Sequence, residues 1–241
     1  AELNKTSDIV YSTPGTRKLH LDIYNPVSKT NEKLPCIICT HGGGWESGNK
    51  ELLEQLASEL ANNGFITANI EYRLSPEALY PAGVIDVKNA IKWLKINSDV
   101  YNIDTNRIAL LGTSAGATIA SLVGNTADHP LYTTTGEYPI NVSDRVQAII
   151  NIDGILDFTD PAESGKDNDP AKPSAATRWL GATFKNNPYL WKEASPLTYA
   201  GDHSPYTLFI NSSLPRFHAG RDEYIKILDE FEIKSMVYTI R

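Results

Sequence analysis

The pentapeptide Gly112-Thr113-Ser114-Ala115-Gly116 constrains this chain more than any other stretch. It follows the apolar run Ile108-Ala109-Leu110-Leu111 and precedes Ala117-Thr118-Ile119-Ala120-Ser121-Leu122-Val123. A short strand therefore runs into a helix through a serine flanked by glycines. A turn this tight holds the serine in strained backbone geometry, so small neighbours are required on both sides. The helix N-terminus then faces the serine with free N–H groups and the positive end of its dipole. The bland reading is a glycine-rich turn before a helix. A strand before and a helix after make Ser114 a candidate nucleophile.

The rest of the chain alternates in the same manner. Residues 18–24 interleave apolar and polar side chains, as an outer antiparallel strand does. Residues 35–40 are continuously apolar, the mark of a central strand covered on both faces. Residues 52–60 have helical periodicity, with Leu52, Leu53, Leu56 and Leu60 on one side, and Asn63-Gly64 closes the helix. Residues 65–70 read as a second buried strand and residues 107–111 as the third parallel strand. Between them, residues 84–96 form an amphipathic helix with Val84, Val87, Ile91 and Leu94 in one stripe. A strand over 146–152, a short helix over 175–180, a strand over 206–210, a helix over 222–231 and a last strand over 235–240 complete the pattern. Such alternation predicts an α/β fold whose mostly parallel central sheet carries helices on both faces. The polar stretch 153–174 lies beyond a strand's C-terminal end, where binding groups gather in open α/β sheets. It reads as a loop or small cap over the pocket, against the alternative of a disordered insertion.

Bulk properties exclude several function classes. No linker or charge run divides the 241 residues, so one domain over 1–241 is expected. A net charge of -7 with no basic patch argues against a nucleic-acid or anionic-membrane partner. No apolar run reaches the length that spans a bilayer. The chain opens at Ala1 rather than Met, which fits a removed leader, and a secreted or periplasmic setting is expected over a cytoplasmic one. Cys36 and Cys39 sit three apart on a strand and so point to opposite faces. Both read as buried apolar filler rather than a disulfide or a metal pair. The histidines lack ligand spacing and the carboxylates are scattered, so neither a metal nor a cofactor is expected.

Acyl transfer at Ser114 needs donors for an oxyanion, a base and a group to orient the base. His41-Gly42-Gly43-Gly44-Trp45, after the first central strand, resembles the HGGG oxyanion loop of lipases and esterases. The oxyanion-hole amides are assigned to Gly43, Gly44 and Ala115. With both motifs present, the chain resembles an α/β-hydrolase of the esterase/lipase group that carries HGGGW. That group includes hormone-sensitive-lipase-like carboxylesterases and carbohydrate acyl esterases. The segment Glu71-Tyr72-Arg73-Leu74-Ser75-Pro76-Glu77, with Tyr80-Pro81-Ala82 and Asp86, resembles a landmark of those enzymes, as does Ala194-Ser195-Pro196-Leu197. The resemblance is close over 36–125 and looser over 146–211. It implies the α/β-hydrolase fold and serine-esterase activity.

The resemblance also places the catalytic acid a few residues past the strand at 206–210, where this chain has Asn211-Ser212-Ser213-Leu214-Pro215-Arg216 and no carboxylate. Asp222 is the next carboxylate, and it reads either as the orienting acid or as a first-turn helix carboxylate stabilised by the dipole. Asp153 and Asp157 are the fallback. The base belongs, by resemblance, on a loop after the last strand, but here Arg241 follows that strand. Of the five histidines, His20, His129 and His203 fall away from the elbow, and His41 shapes the oxyanion loop. His218 alone follows a strand on the catalytic edge. Three readings stay open: a base beyond Arg241, His218 as base paired with Asp222 across Gly220, or a scaffold without hydrolase activity. The expected activity is hydrolysis of small carboxylic esters, and the resemblance of Leu214-Pro215-Arg216-Phe217-His218-Ala219-Gly220-Arg221-Asp222 to carbohydrate acyl esterases implies acetylated plant polysaccharides or oligosaccharides as the favoured substrate. An amidase or formamidase on the same scaffold and a non-catalytic binding module are the alternatives.

Overall fold

A computed structural model describes residues 2–27, 30–134, 136–166 and 169–241. Its eight strands are β1 (Leu3–Ser12), β2 (Leu19–Pro26), β3 (Leu34–Thr40), β4 (Ile66–Ile70), β5 (Ile103–Thr113), β6 (Ala148–Ile152), β7 (Tyr206–Asn211) and β8 (Ser235–Thr239). They form one sheet in the order β1-β2-β4-β3-β5-β6-β7-β8. The β1–β2 and β2–β4 pairs are antiparallel, and every pair from β4 to β8 is parallel. The helices are α1 (Glu54–Asn62), α2 (Ala82–Ile96), α3 (Ser98–Tyr101), α4 (Ala115–Asn125), α5 (Pro161–Ser164), α6 (Ala175–Leu180), α7 (Pro188–Glu193) and α8 (Arg221–Glu230). The expected α/β-hydrolase architecture is the one observed.

The strand period of two sorts the core onto two faces. On β3, Cys36 and Ile38 join the cluster built on α2 and α4, with Val84, Val87, Ile91, Ile119, Leu122 and Val123. Ile37 and Cys39 join the cluster under α1, with Ala57, Ala61 and Leu111. The two cysteines therefore face opposite ways and stay unpaired, and burial pushes the Cys39 thiol up to about 12. α1 presents Ala57 and Ala61 to the sheet beside Leu53 of the preceding turn, with Leu56 and Leu60 at the flanks. Leu52, expected in that stripe, is 62% exposed, because a 3-10 turn over Lys50–Leu53 precedes the helix and rotates it outward. Asn63 and Gly64 close α1 as expected, with Gly64 at φ 95.

Four elements, β1, α3, α5 and α7, are not among those read from the sequence. β1 is mostly solvent-facing and joins the sheet through its backbone, so its side chains carry no apolar period. α7 is short and buries mainly Trp191. The polar stretch 153–174 includes α5 and runs into α6, whose first residue, Ala175, reaches the Ser114 cavity. Residues 167 and 168 of that stretch lie outside the described residues. No helix among the described residues is long and apolar enough to cross a membrane.

Candidate active site

The elbow owes its sequence to contacts on three sides. Ser114 sits at φ 52 and ψ -119, a conformation that costs a non-glycine residue of order 1–3 kcal/mol and persists only where neighbours over-determine it. They do so here. The Ser114 amide donates to the Ile152 carbonyl of β6 at 2.8 Å, and its carbonyl accepts from Ala117 at 2.9 Å. A Cβ on Gly112 would lie 2.2 Å from the Gly116 oxygen, and one on Gly116 would lie 2.2 Å from the Thr40 oxygen of β3. Glycine is thus required at both positions for space. The side chain of Ser114 makes no hydrogen bond to any described residue and borders a cavity of about 70 Å³.

The glycine loop after β3 lies directly on this elbow. A Cβ at Gly42 would meet the Thr113 oxygen at 2.7 Å and Ser114 Cβ at 3.3 Å. Gly43, Gly44 and Trp45 then take φ of 122, 61 and 63 in succession. The turn is closed by the amides of Glu46 and Ser47, which donate to the Gly43 carbonyl at 3.2 and 3.0 Å. Gly44 and Ala115 border the same cavity as Ser114, while Gly43 is not among its lining residues. Ala115 opens α4, where the first amides have no intrahelical acceptor. Two of the three expected oxyanion donors therefore share a cavity wall with the serine.

Buried polar groups brace the loop. The His41 imidazole is held within hydrogen-bonding distance of the Gly42 carbonyl, Nδ1 to oxygen 2.6 Å, and stacks on Tyr72 at 4.6 Å. The Tyr72 hydroxyl donates to the His41 carbonyl at 2.8 Å. His41 is buried, and that burial holds its pKa below the ordinary histidine value. Arg73 donates its backbone amide at 2.8 Å and its guanidinium at 2.8–3.2 Å to buried Asp86, tying the segment after β4 to α2. The landmark serine, Ser195, accepts from the Phe158 amide at 2.9 Å and donates to the Trp191 carbonyl at 2.8 Å. It thereby anchors the aromatic cluster beside the cavity. In that cluster Trp45 stacks on Trp179 with centroids 4.9 Å apart. Trp45, Trp179 and Trp191 are core residues, whereas Tyr189 is 85% exposed.

The expected His218–Asp222 pairing is not formed. His218 ends a 3-10 turn and Gly220, at φ 79, separates that turn from α8, so the two residues share no helix. The His218 Nε2 atom lies 2.9 Å from the Ser212 carbonyl. Asp222 is 80% exposed and accepts from Arg221, in keeping with a first-turn helix carboxylate. The remaining imidazoles are engaged elsewhere: His20 with Glu71, His129 with the Leu131 amide, and His203 with the Asn125 carbonyl. No histidine borders the Ser114 cavity. Of the fallback acids, Asp157 closes a turn onto Thr159. Asp153 borders the cavity at φ 56, with its carboxylate accepting from the Ser212 amide at 2.8 Å and from Asn211 at 3.3 Å. Thr118, Ile155, Arg216 and Phe217 also line the cavity, and none of them is assigned a role there by the sequence reading. A larger groove, about 560 Å³, runs along Ala148, Tyr206, Leu208 and Met236 and shares no residue with the elbow.

This geometry can be set beside known proteins. Esterase LipC and Esterase LipQ of Mycobacterium tuberculosis are 30% and 32% identical to the chain over 196 and 203 residues. Those alignments take in 80% and 83% of this chain and 47% of each relative, so the chain spans about half their length. A truncated carbohydrate esterase from gut microbiota superposes with a TM-score of 0.83 over 98% of this chain and 87% of its own, at 23% identity. An acetyl ester-xyloside bifunctional hydrolase from Caldicellulosiruptor lactoaceticus does so with a TM-score of 0.80 over 97% and 85%, at 24% identity. Both likenesses are of fold. The BD-FAE family model matches residues 21–223, from β2 into α8, and the chain belongs to that family of α/β-hydrolase esterases.

Proposed function

We propose that the chain is the catalytic unit of a serine esterase that removes short acyl groups, acetyl foremost, from saccharide esters. One observation carries the reading: Ser114, strained at φ 52, shares a cavity of about 70 Å³ with Gly44 and Ala115. Ser114 Oγ attacks the ester carbonyl, and the amides of Ala115 and Gly44, which border its cavity, receive the oxyanion. Collapse of the tetrahedral intermediate expels the alcohol, which takes up the proton that Ser114 Oγ gave to a base on attack, and water then hydrolyses the acyl-serine, freeing the acid and restoring the Ser114 hydroxyl. The small cavity and its apolar walls, Trp45, Ile155, Ala175 and Phe217, suit an acetyl-sized group. The saccharide portion draws on the carbohydrate-ester relatives.

A second reading, a non-catalytic module on a hydrolase scaffold, is favoured by the absence of an imidazole at Ser114. Stopped-flow hydrolysis of an aryl acetate separates the two. The esterase reading expects a burst of alcohol that Ser114→Ala abolishes; a Ser114→Ala protein that keeps full turnover refutes it. No burst, together with no labelling of Ser114 by a fluorophosphonate, favours the module. His218→Asn locates the proton acceptor. A lost burst assigns it to His218 freed from the Ser212 carbonyl, and an unchanged burst shows that His218 is not the acceptor.

A further inference from the structure

Arg216 borders two cavities at once. It lines the Ser114 cavity and also a second one of about 310 Å³, bounded by Glu163, Lys166 and Ser174, with Trp45 and Ala175 common to both. The first is small and mostly apolar, and the second is charged. An acyl group held in the first directs the alcohol portion of the ester toward the second.

The charges there do not cancel. Glu163 is a buried carboxylate, 3% exposed, that accepts from Lys166 at 2.8 Å. Arg216 Nη2 lies 3.3 Å from the same oxygen, a charge contact without a hydrogen bond. Two cations thus share one carboxylate and leave the second cavity, taken by itself, with an excess positive charge, in a chain whose net charge is -7. Of the neighbouring acids, Glu46 is paired with Arg178 at 2.7 and 2.8 Å. Asp153 lies on the wall of the Ser114 cavity rather than the second one, and its neutral donors, the Ser212 amide and Asn211, leave it charged. Arg216 itself is 51% exposed, lies over the Phe217 ring at 4.8 Å, and donates no hydrogen bond to a described residue. A guanidinium held by a ring and a buried carboxylate, with its planar fork uncommitted, is suited to bidentate capture of a carboxylate.

We infer that Arg216 forms an anion-selecting subsite beside Ser114, which takes a carboxylate-bearing sugar of the uronic-acid class as the alcohol portion of the ester. The inference rests on the esterase reading only for the direction in which the alcohol portion lies. Binding tests it without turnover: a uronic-acid disaccharide and its neutral counterpart are titrated against the protein, with the fluorescence of Trp45 as reporter. The expected result is that the acidic sugar binds roughly tenfold tighter, in the range of one charge-assisted contact. The preference shrinks as salt is added. It vanishes in Arg216→Gln and survives, reduced, in Arg216→Lys, both with native circular dichroism. Equal affinities, no measurable binding of either sugar, a salt-independent preference, or a preference unchanged in Arg216→Gln overturns the inference. Fluorophosphonate labelling of the same preparation keeps the two readings apart. Labelling without acid preference removes the subsite alone, and acid preference without labelling removes the esterase reading and leaves the subsite standing.

Discussion

Replacing Gly116 by alanine places a methyl carbon 2.2 Å from the Thr40 carbonyl oxygen and 2.4 Å from that of His41. Ordinary carbon–oxygen contacts begin about 1 Å farther out, near the van der Waals range. Both oxygens belong to backbone at the root of the glycine loop, so no side chain can swing aside. The elbow and the loop must separate by roughly that 1 Å, and Ser114 and the Gly44 amide then no longer converge on one carbonyl group. A displacement of this size costs about 100-fold in rate. Overpacking adds a stability loss of about 1–3 kcal/mol, or roughly 2–12 °C in Tm for a chain of this length. The assay is kcat/KM for an aryl acetate, read beside calorimetry, with Gly64→Ala as control. Gly64 also has positive φ, at 95, but its added Cβ meets nothing within 4 Å. The control should lose about 1–2 kcal/mol of stability to backbone strain and keep its rate. A Gly116→Ala protein that retains near-native kcat/KM refutes the argument that packing of loop on elbow aligns the site.

Three further outcomes follow from the same structure. Asp86→Asn removes the charge that receives Arg73 at four contacts. With Arg73 only partly buried, the low end of the buried-pair range applies, about 3 kcal/mol, and calorimetry should show Tm falling by roughly 6–12 °C. Trp45→Ala deletes a stacked wall of the Ser114 cavity; stability should drop by about 3–5 kcal/mol, and the hexanoate-to-acetate ratio of kcat/KM should rise about tenfold. His41 has a folded pKa below its unfolded value, so its neutral form is favoured by folding. Its contribution is complete above the unfolded value of about 6.5 and is lost as pH falls through the lower folded pKa. Tm measured from pH 8 to pH 5 should therefore decline, and decline less steeply in His41→Gln.

The site was only partly legible before folding. Ser114 and its glycines were readable because a strand-to-helix turn imposes local steric demands on five consecutive residues. The parallel sheet was readable because apolar runs and helical stripes alternate along the chain. β1 was not, since it pairs through backbone groups and most of its side chains face water. The His218–Asp222 pairing failed on one residue, Gly220, whose left-handed φ sends the chain out of the 3-10 turn before α8 begins. Asp153 was a fallback on chain order, and Arg216 and Phe217 carried no assigned role, yet all three line the cavity.

By itself, then, the sequence determined the strained serine, the glycine loop that accompanies it and the mostly parallel sheet. These depend on backbone sterics and side-chain periods that act over a few residues. Only the tertiary structure decided which side chains surround Ser114 and which histidines stay away from it. Those outcomes depend on where the loops after β3, β5, β6 and β7 meet at one edge of the sheet, a geometry set by strand order and register rather than by any local stretch of chain.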